Sequence, residues 1–401
     1  MFNKTVKKQP SSTRANSEHS AQTMRLNAAG DDRDHHQKAV EVNHINVKFG
    51  ETDVLKNLTF DLQAGEILCL LGPSGCGKTT ALKAIAGLIT PEFGQIDLFD
   101  QIVFSNISSN KDFKDTESNP KSYAPLINVA AEKRSIGFIF QDYALFPHMT
   151  IGQNIAYGLT TFSKQEKQQR ITETLALVEL PDMMERYPHE LSGGQQQRIA
   201  VARALAPKPQ LLLMDEPFSN IDGQVKRRMM ADLRQLLKNH NISCIFVTHA
   251  KEEAFAFADK TAVMSAGLIA QFDTPAKVYN QPKTLDVASF MESGNLASLS
   301  HSQQLLDNVS PKWPRDLDNS GFWLFKPQHI HIHRSRQQTG IKVSNITFVG
   351  RGYQYDISIQ LNKHKPDELI MWKVEHETLL ELNVGDNISL EYTKIPHWIV
   401  N

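Results

Sequence analysis

The stretch Gly72-Pro73-Ser74-Gly75-Cys76-Gly77-Lys78-Thr79 decides the fold. The residues before it, 66–71, are apolar enough for a buried strand. Those after it, 81–86, carry Leu82 and Ile85 ahead of Gly87 and predict a helix that stops at glycine. A glycine-rich turn between a buried strand and a helix is the setting a phosphate-binding loop requires. Its backbone N–H groups can turn inward around phosphate oxygens, and the helix start adds the positive end of a dipole. Lys78 should then reach the β- and γ-phosphates of a bound nucleotide, and the Thr79 hydroxyl should ligate Mg²⁺. Gly72, Pro73, Ser74, Gly75, Cys76, Gly77 and Thr80 complete the candidate cradle.

Three further signals lie downstream. Leu211-Leu212-Leu213-Met214-Asp215-Glu216 reads as a buried strand ending in two carboxylates. Asp215 would hold Mg²⁺, directly or through water, and Glu216 would polarise the attacking water; the alternative is a strand that merely ends in a polar turn. Leu191-Ser192-Gly193-Gly194-Gln195 precedes a helical run over 196–205 and makes a second candidate anion site. It stands more than a hundred residues beyond the first loop, too far along the chain to share its cradle. His249 follows the apolar run 244–247, at the strand edge where α/β proteins bind ligands, although histidines there are often structural.

The unalternating apolar runs at 66–71, 210–214 and 244–247 predict strands buried on both faces, as in a parallel α/β sheet. Residues 105–125 are rich in Ser, Asn, Lys and Asp and read as a surface insertion. Residues 1–38 are polar and aperiodic, a disordered tail in which Met24 offers an alternative start. Beyond about residue 300, short alternating runs at 341–349, 353–361 and 387–392 are separated by Gly350, Gly352 and Gly385-Asp386, the pattern of a small all-β domain.

Composition excludes several classes. The formal net charge is −1 and apolar residues make up 40 %, which leaves no global basic footprint for nucleic acid. No window approaches the roughly 18 apolar residues of a membrane helix, and the N-terminus lacks the apolar core of a secretory signal. The chain is therefore expected to stay in the cytoplasm and meet a membrane through a partner. Cys69, Cys76 and Cys244 have neither disulfide nor metal-ligand spacing.

Taken in order, the phosphate loop, LSGGQ, LLLMDEP and VTH resemble the ATP-binding cassette proteins over about residues 40–275. LSGGQ between the other two motifs separates that family from other phosphate-loop proteins. The resemblance implies an α/β cassette with a helical subdomain, followed by a small, barrel-like β domain. It divides the chain into a tail (1–38), the cassette (39–275), a linker (276–300) and a β-rich regulatory domain (301–401). It also implies roles. Gln141 resembles the glutamine that contacts Mg²⁺ and senses the permease, and Ser219-Asn220-Ile221-Asp222 resembles the family's D-loop. Phe49 resembles the aromatic that stacks on adenine, and His249 the switch histidine at the γ-phosphate. In this family Ser192, Gly193, Gly194 and Gln195 close over ATP held by the other cassette. A homodimer with two sandwiched ATP sites follows.

Three features resemble one branch of importer ATPases, those for ferric iron, polyamine, sulfate and maltose. They are Gln141-Asp142-Tyr143-Ala144-Leu145-Phe146-Pro147-His148, the linker-like PAKVYNQPKTLDVASF from Pro275, and Leu324-Phe325-Lys326-Pro327-Gln328 at the opening of the β domain. Asp142, where polyamine ATPases tend to carry serine, points to ferric iron. The implied partners are permease subunits and, through them, an extracytoplasmic substrate-binding protein. The implied location is the cytoplasmic face of the inner membrane. A soluble cassette ATPase of DNA repair or translation, which usually has two cassettes or a long coiled coil, and a purely regulatory module are the rival readings. His329, His331 and His333 would share one strand face at about 7 Å spacing, a candidate metal-sensing face or simply a solvated one.

Overall fold

The computed structural model describes residues 37–107, 126–219, 221, 223–298, 321–362, 365–394 and 396–399. The tail expected over 1–38 and the insertion over 105–125 lie largely outside them, as do Asn220 and Asp222.

Six strands form the central sheet, in the order Leu268–Asp273, Lys260–Ser265, Ile67–Leu71, Ser243–Thr248, Leu211–Asp215, Ile136–Ile139. All neighbours are parallel except the first pair. Every residue of the three middle strands is buried, so their sequences carry no polar alternation. Helix Lys78–Ala86 covers one face. It ends at Gly87 in a left-handed conformation (φ 79°), whose N–H closes on Ala84 O. The Arg134 guanidinium seals the same end by donating to Ala84 O (3.0 Å) and Ile85 O (2.8 Å), a cation at the negative end of the helix. A Cβ on Gly87 would lie 2.6 Å from Arg134 Nε, so the glycine is required twice.

A second sheet packs over that helix and is wholly antiparallel: Thr52–Gln63, Lys38–Phe49, Phe93–Leu98, Gln101–Ser105, Ile127–Asn128. One apolar cluster joins it to the helix and the central sheet through Val42, Leu62, Leu82, Ile85, Ile96 and Leu213. On the other face of the central sheet lie the helices Ile151–Ala156, Lys164–Leu177 and Gly193–Leu205, all inserted between the strands Ile136–Ile139 and Leu211–Asp215. The helix expected over 196–205 starts three residues earlier. Ser192 caps it, its Oγ accepting from Gln195 N while Gln195 Oε1 accepts from Ser192 N.

The segment read as a linker carries helices Pro275–Asn280 and Leu285–Phe290. Strand Asn295–Ser298 already belongs to a sheet with Phe322–Phe325 and His397–Ile399. The rest of the C-terminal region is two small antiparallel sheets around Trp372, Tyr355 and Phe325. Lys326 fastens this region to the preceding helices. Its Nζ donates to Tyr279 O (2.7 Å) and Ser293 O (2.5 Å) and stands 3.8 Å from the Tyr279 ring centroid. Burial lowers this ammonium to about 8. The histidine face is corrected here. His329 lies in the 3₁₀ turn Pro327–His329, ahead of the strand, and only His331 and His333 alternate outward from buried Ile330 and Ile332. His331 faces the His376 ring at 6.2 Å and His333 Nε2 lies 3.0 Å from Glu391 Oε2. Among the described residues no group of three His, Cys, Asp or Glu side chains is set to hold a metal ion.

Removing the Lys326 ammonium leaves two carbonyls without their donor. Lys326→Ala should lower unfolding stability by about 1–3 kcal/mol and speed proteolysis between residues 281 and 294, measured by thermal melting and limited digestion.

Candidate functional site

Parallel strands end on one edge, so the groups placed just beyond those ends must meet. In register, Leu71 stands beside Thr248 and Asp215 beside Val247. This brings together the phosphate loop and His249, which directly follow their strands, and Asp215, which ends its strand, with Glu216 after it.

Within the loop, Lys78 is 6 % exposed, and its Nζ donates to Gly72 O and Pro73 O, both at 2.8 Å. The ammonium thereby curls the loop around itself. Gly72 has no room for a side chain, since a Cβ there would lie 2.4 Å from Met264 O. Cys76 is buried beneath the loop, with Sγ 3.9 Å from Lys78 Nζ.

Thr79 Oγ1 donates to Asp215 Oδ1 at 2.8 Å. Asp215 is 6 % exposed, and burial pushes its carboxyl above the usual aspartate range despite the Thr79 bond and the nearby lysines. A desolvated carboxylate beside a hydroxyl is a hard-oxygen donor set. Mg²⁺ suits such a set, because it keeps several waters and takes only one or two carboxylates alongside phosphate oxygens.

Glu216 follows immediately and turns the chain. Its φ of 45° is left-handed, an uncommon state for a residue with a side chain, and such strain gathers at functional sites. The turn is held by Glu216 N–H donating to Val247 O (3.0 Å) and Ser219 Oγ donating to Glu216 O (3.1 Å). It is also held from the signature helix, where buried Gln197 Nε2 donates to Pro217 O at 2.5 Å. The Glu216 carboxylate is then gripped at both oxygens. Gln141 Nε2 donates to Oε2 (3.2 Å), and His249 Nδ1 lies 3.3 Å from Oε1. The three residues come from different connections, after residues 139, 215 and 248.

Phe49 ends its strand 53 % exposed, open to a flat ligand. Ser192, Gly193, Gly194 and Gln195 share no hydrogen bond with the loop among the described residues. A Cβ on Gly193 would meet nothing within 4 Å, so that helix start is open to a second surface. A cavity of about 280 Å³ lies elsewhere, lined by Val178, Gln197, Val201, Phe218, Met229 and Leu233. None of the phosphate-loop residues borders it.

The sequence reading did not single out several polar residues that hold the site. Gln197 is one; Arg203 is another, its guanidinium donating to Tyr143 O (2.8 Å) and Ala144 O (2.7 Å) just beyond Gln141. Asn154 is fully buried and ties Phe146 from both sides, accepting from its N–H (2.8 Å) and donating to its carbonyl (3.1 Å). Thr248 and Glu253 are a further pair. A polar residue inside an apolar helical period was the signal available for Gln197 and Asn154.

Residues 55–219 match the family described as ABC transporter. The Fe(3+) ions import ATP-binding protein FbpC of Escherichia coli O157:H7 is 36 % identical over 360 residues, covering 88 % of this chain and 94 % of that protein. The Sulfate/thiosulfate import ATP-binding protein CysA of Yersinia pseudotuberculosis is 36 % identical over 334 residues, covering 80 % and 85 %. A solved structure from Clostridium perfringens, described as part of the ABC transporter complex cbiONQ, superposes with a TM-score of 0.52 at 24 % identity. It covers 61 % of this chain and 92 % of that one.

The raised Asp215 pKa has a consequence of defined sign. A carboxyl whose folded pKa exceeds its unfolded value costs the folded chain stability as pH rises through the acidic range. Asp215→Asn removes that cost. The nucleotide-free variant should melt above wild type at pH 7, with the gap closing as pH is lowered below the aspartate range, followed by calorimetry.

Proposed function

This chain belongs to the ATP-binding cassette (ABC) transporter family and is the ATP-hydrolysing subunit of an importer, and we propose that its solute is ferric iron. Relatives named for Fe(3+) import recur at 34–36 % identity over nearly their whole length, which supports iron over sulfate. The observation that carries the catalytic reading is the Glu216 carboxylate held between Gln141 and His249, one residue past the Thr79–Asp215 pair.

In this reading Phe49 stacks on the adenine, and the loop 72–80 wraps the phosphates with its backbone N–H groups. Lys78 exchanges its two loop carbonyls for β- and γ-phosphate oxygens. Thr79, Asp215 and Gln141 would hold Mg²⁺, which would supply positive charge to offset that building on the phosphate oxygens. Glu216 orients the attacking water and accepts its proton, while His249 donates toward the γ-phosphate and keeps the carboxylate turned inward. Ser192, Gly193, Gly194 and Gln195 face the ATP of a second copy, so each site is completed by the partner of a homodimer.

The chain would sit at the cytoplasmic face of the membrane. Among the described residues no helix is long and apolar enough to cross a membrane, so attachment falls to permease subunits, and through them to an external binding protein. A shallow groove lined by His148, Met149, Gln153, Ala156 and Tyr157 follows Gln141 in the chain, and Arg203 holds the carbonyls of Tyr143 and Ala144 in the segment between. A permease helix seated there would move Gln141 against Glu216.

Glu216→Gln should bind ATP with near wild-type affinity and hydrolyse it about 10²–10⁴-fold more slowly, the usual loss when a general base is removed; ordinary turnover would refute the assignment. Changes at Ser192 or Gly193 should abolish hydrolysis while sparing nucleotide binding. In cells, Glu216→Gln should abolish uptake of labelled ferric iron and leave putrescine uptake intact. Loss of putrescine uptake alone would transfer the protein to the polyamine branch.

A further inference from the structure

Behind His249 lies an ion pair, its carboxylate buried and its lysine half-buried, that the steps above do not use. Glu253 is 3 % exposed and Thr248, the residue before His249, is 2 % exposed. Thr248 Oγ1 donates to Glu253 Oε2 at 2.6 Å and accepts from Ala250 N–H at 3.0 Å. His249 is thus bracketed, the residue on each side of it tied to one hydroxyl. The other carboxylate oxygen, Glu253 Oε1, accepts from Lys226 Nζ at 2.9 Å. Lys226 belongs to helix Gly223–Asn239, which begins just beyond the turn that Glu216 opens.

A carboxylate this deep is tolerated only when it is paired and hydrogen-bonded. Replacing such a pair by apolar residues is often neutral or stabilising, so stability alone is weak ground for keeping it. What the pair supplies is a fixed position. The short helix Lys251–Phe257 has Ala250 at its N-cap, with no side-chain cap of its own. Glu253, in its first turn, reaches back to Thr248 instead and sets where the 248–250 turn stands relative to Lys226.

We propose that Lys226, Glu253 and Thr248 are positioning residues that hold His249 against Glu216 and tie it to the helix Gly223–Asn239. The inference rests on the switch role of His249 proposed above.

The test measures steady-state ATPase, KM for ATP and melting temperature on the full chain. The variants are His249→Ala, Lys226→Met, Lys226→Arg and the double variant Lys226→Met/His249→Ala. Lys226→Met should lower kcat about tenfold or more, as loss of an orienting outer partner commonly does, with KM within about twofold of wild type. Lys226→Arg should restore the rate, and the double variant should be no slower than His249→Ala alone. Wild-type kcat in a folded Lys226→Met protein would overturn the proposal. So would an arginine variant as slow as the methionine one, or losses that multiply in the double variant. If Lys226→Met does not melt cooperatively, Glu253→Gln takes its place under the same criteria. Wild-type turnover in His249→Ala would remove the switch role itself, an outcome distinct from failure of the ion pair.

Discussion

Asp215 ends a strand with no exposed residue, and its carboxylate is left at the sheet edge with the Thr79 hydroxyl as its hydrogen-bond partner. The rest of the site depends on that contact. It joins the first turn of the phosphate-loop helix to the end of the carboxylate strand, although Ser243–Thr248 lies between the two strands in the sheet. Burial makes the ionised carboxylate costly, so the site is electrostatically prepared for a cation that the protein alone does not supply. The stability forgone at this position is the kind a binding site gives up for function.

From that edge the arrangement spreads by short polar links rather than by more apolar contact. Gln197 ties the signature helix to Pro217, Ser219 ties the following turn to Glu216, and Arg203 ties the same helix to the carbonyls beyond Gln141. The helix Gly193–Leu205 thereby touches both the carboxylate turn and, at Tyr143 and Ala144, the segment that leads to the groove lined by His148 and Tyr157. Its own N-terminus is closed on itself through the Ser192–Gln195 box, yet it is sterically open at Gly193. One rigid element therefore links three surfaces, and the left-handed Glu216 sits where they converge.

The parts of this legible in the sequence were those written locally. A glycine-rich turn after an apolar run, and two carboxylates at the end of another, announce themselves because burial on both faces removes every polar residue from the strand. The LSGGQ helix start was readable for the same reason, its cap being encoded within four residues. The antiparallel sheet over residues 38–105 was not read. Its strands bury one face and carry register shifts, as between Val42 and Ile45, so their alternation is broken. Contacts such as Lys226–Glu253 and Lys326–Tyr279 were invisible because each lysine alone looks like an ordinary surface charge; only the fold brings the partner. The histidine face is one residue shorter than read for a local reason: Pro327 starts a 3₁₀ turn that withdraws His329 from the strand, leaving His331 and His333 outward.

The central claim is that each ATP site is built from two copies of the chain, with the carboxylate edge of one facing Ser192–Gln195 of the other. It is tested most directly by the mass of the Glu216→Gln protein in solution, with and without ATP and Mg²⁺, by sedimentation. The account predicts a shift from monomer to dimer on adding ATP, abolished by a bulky substitution at Gly193. A protein that binds ATP and stays monomeric at every concentration would contradict it.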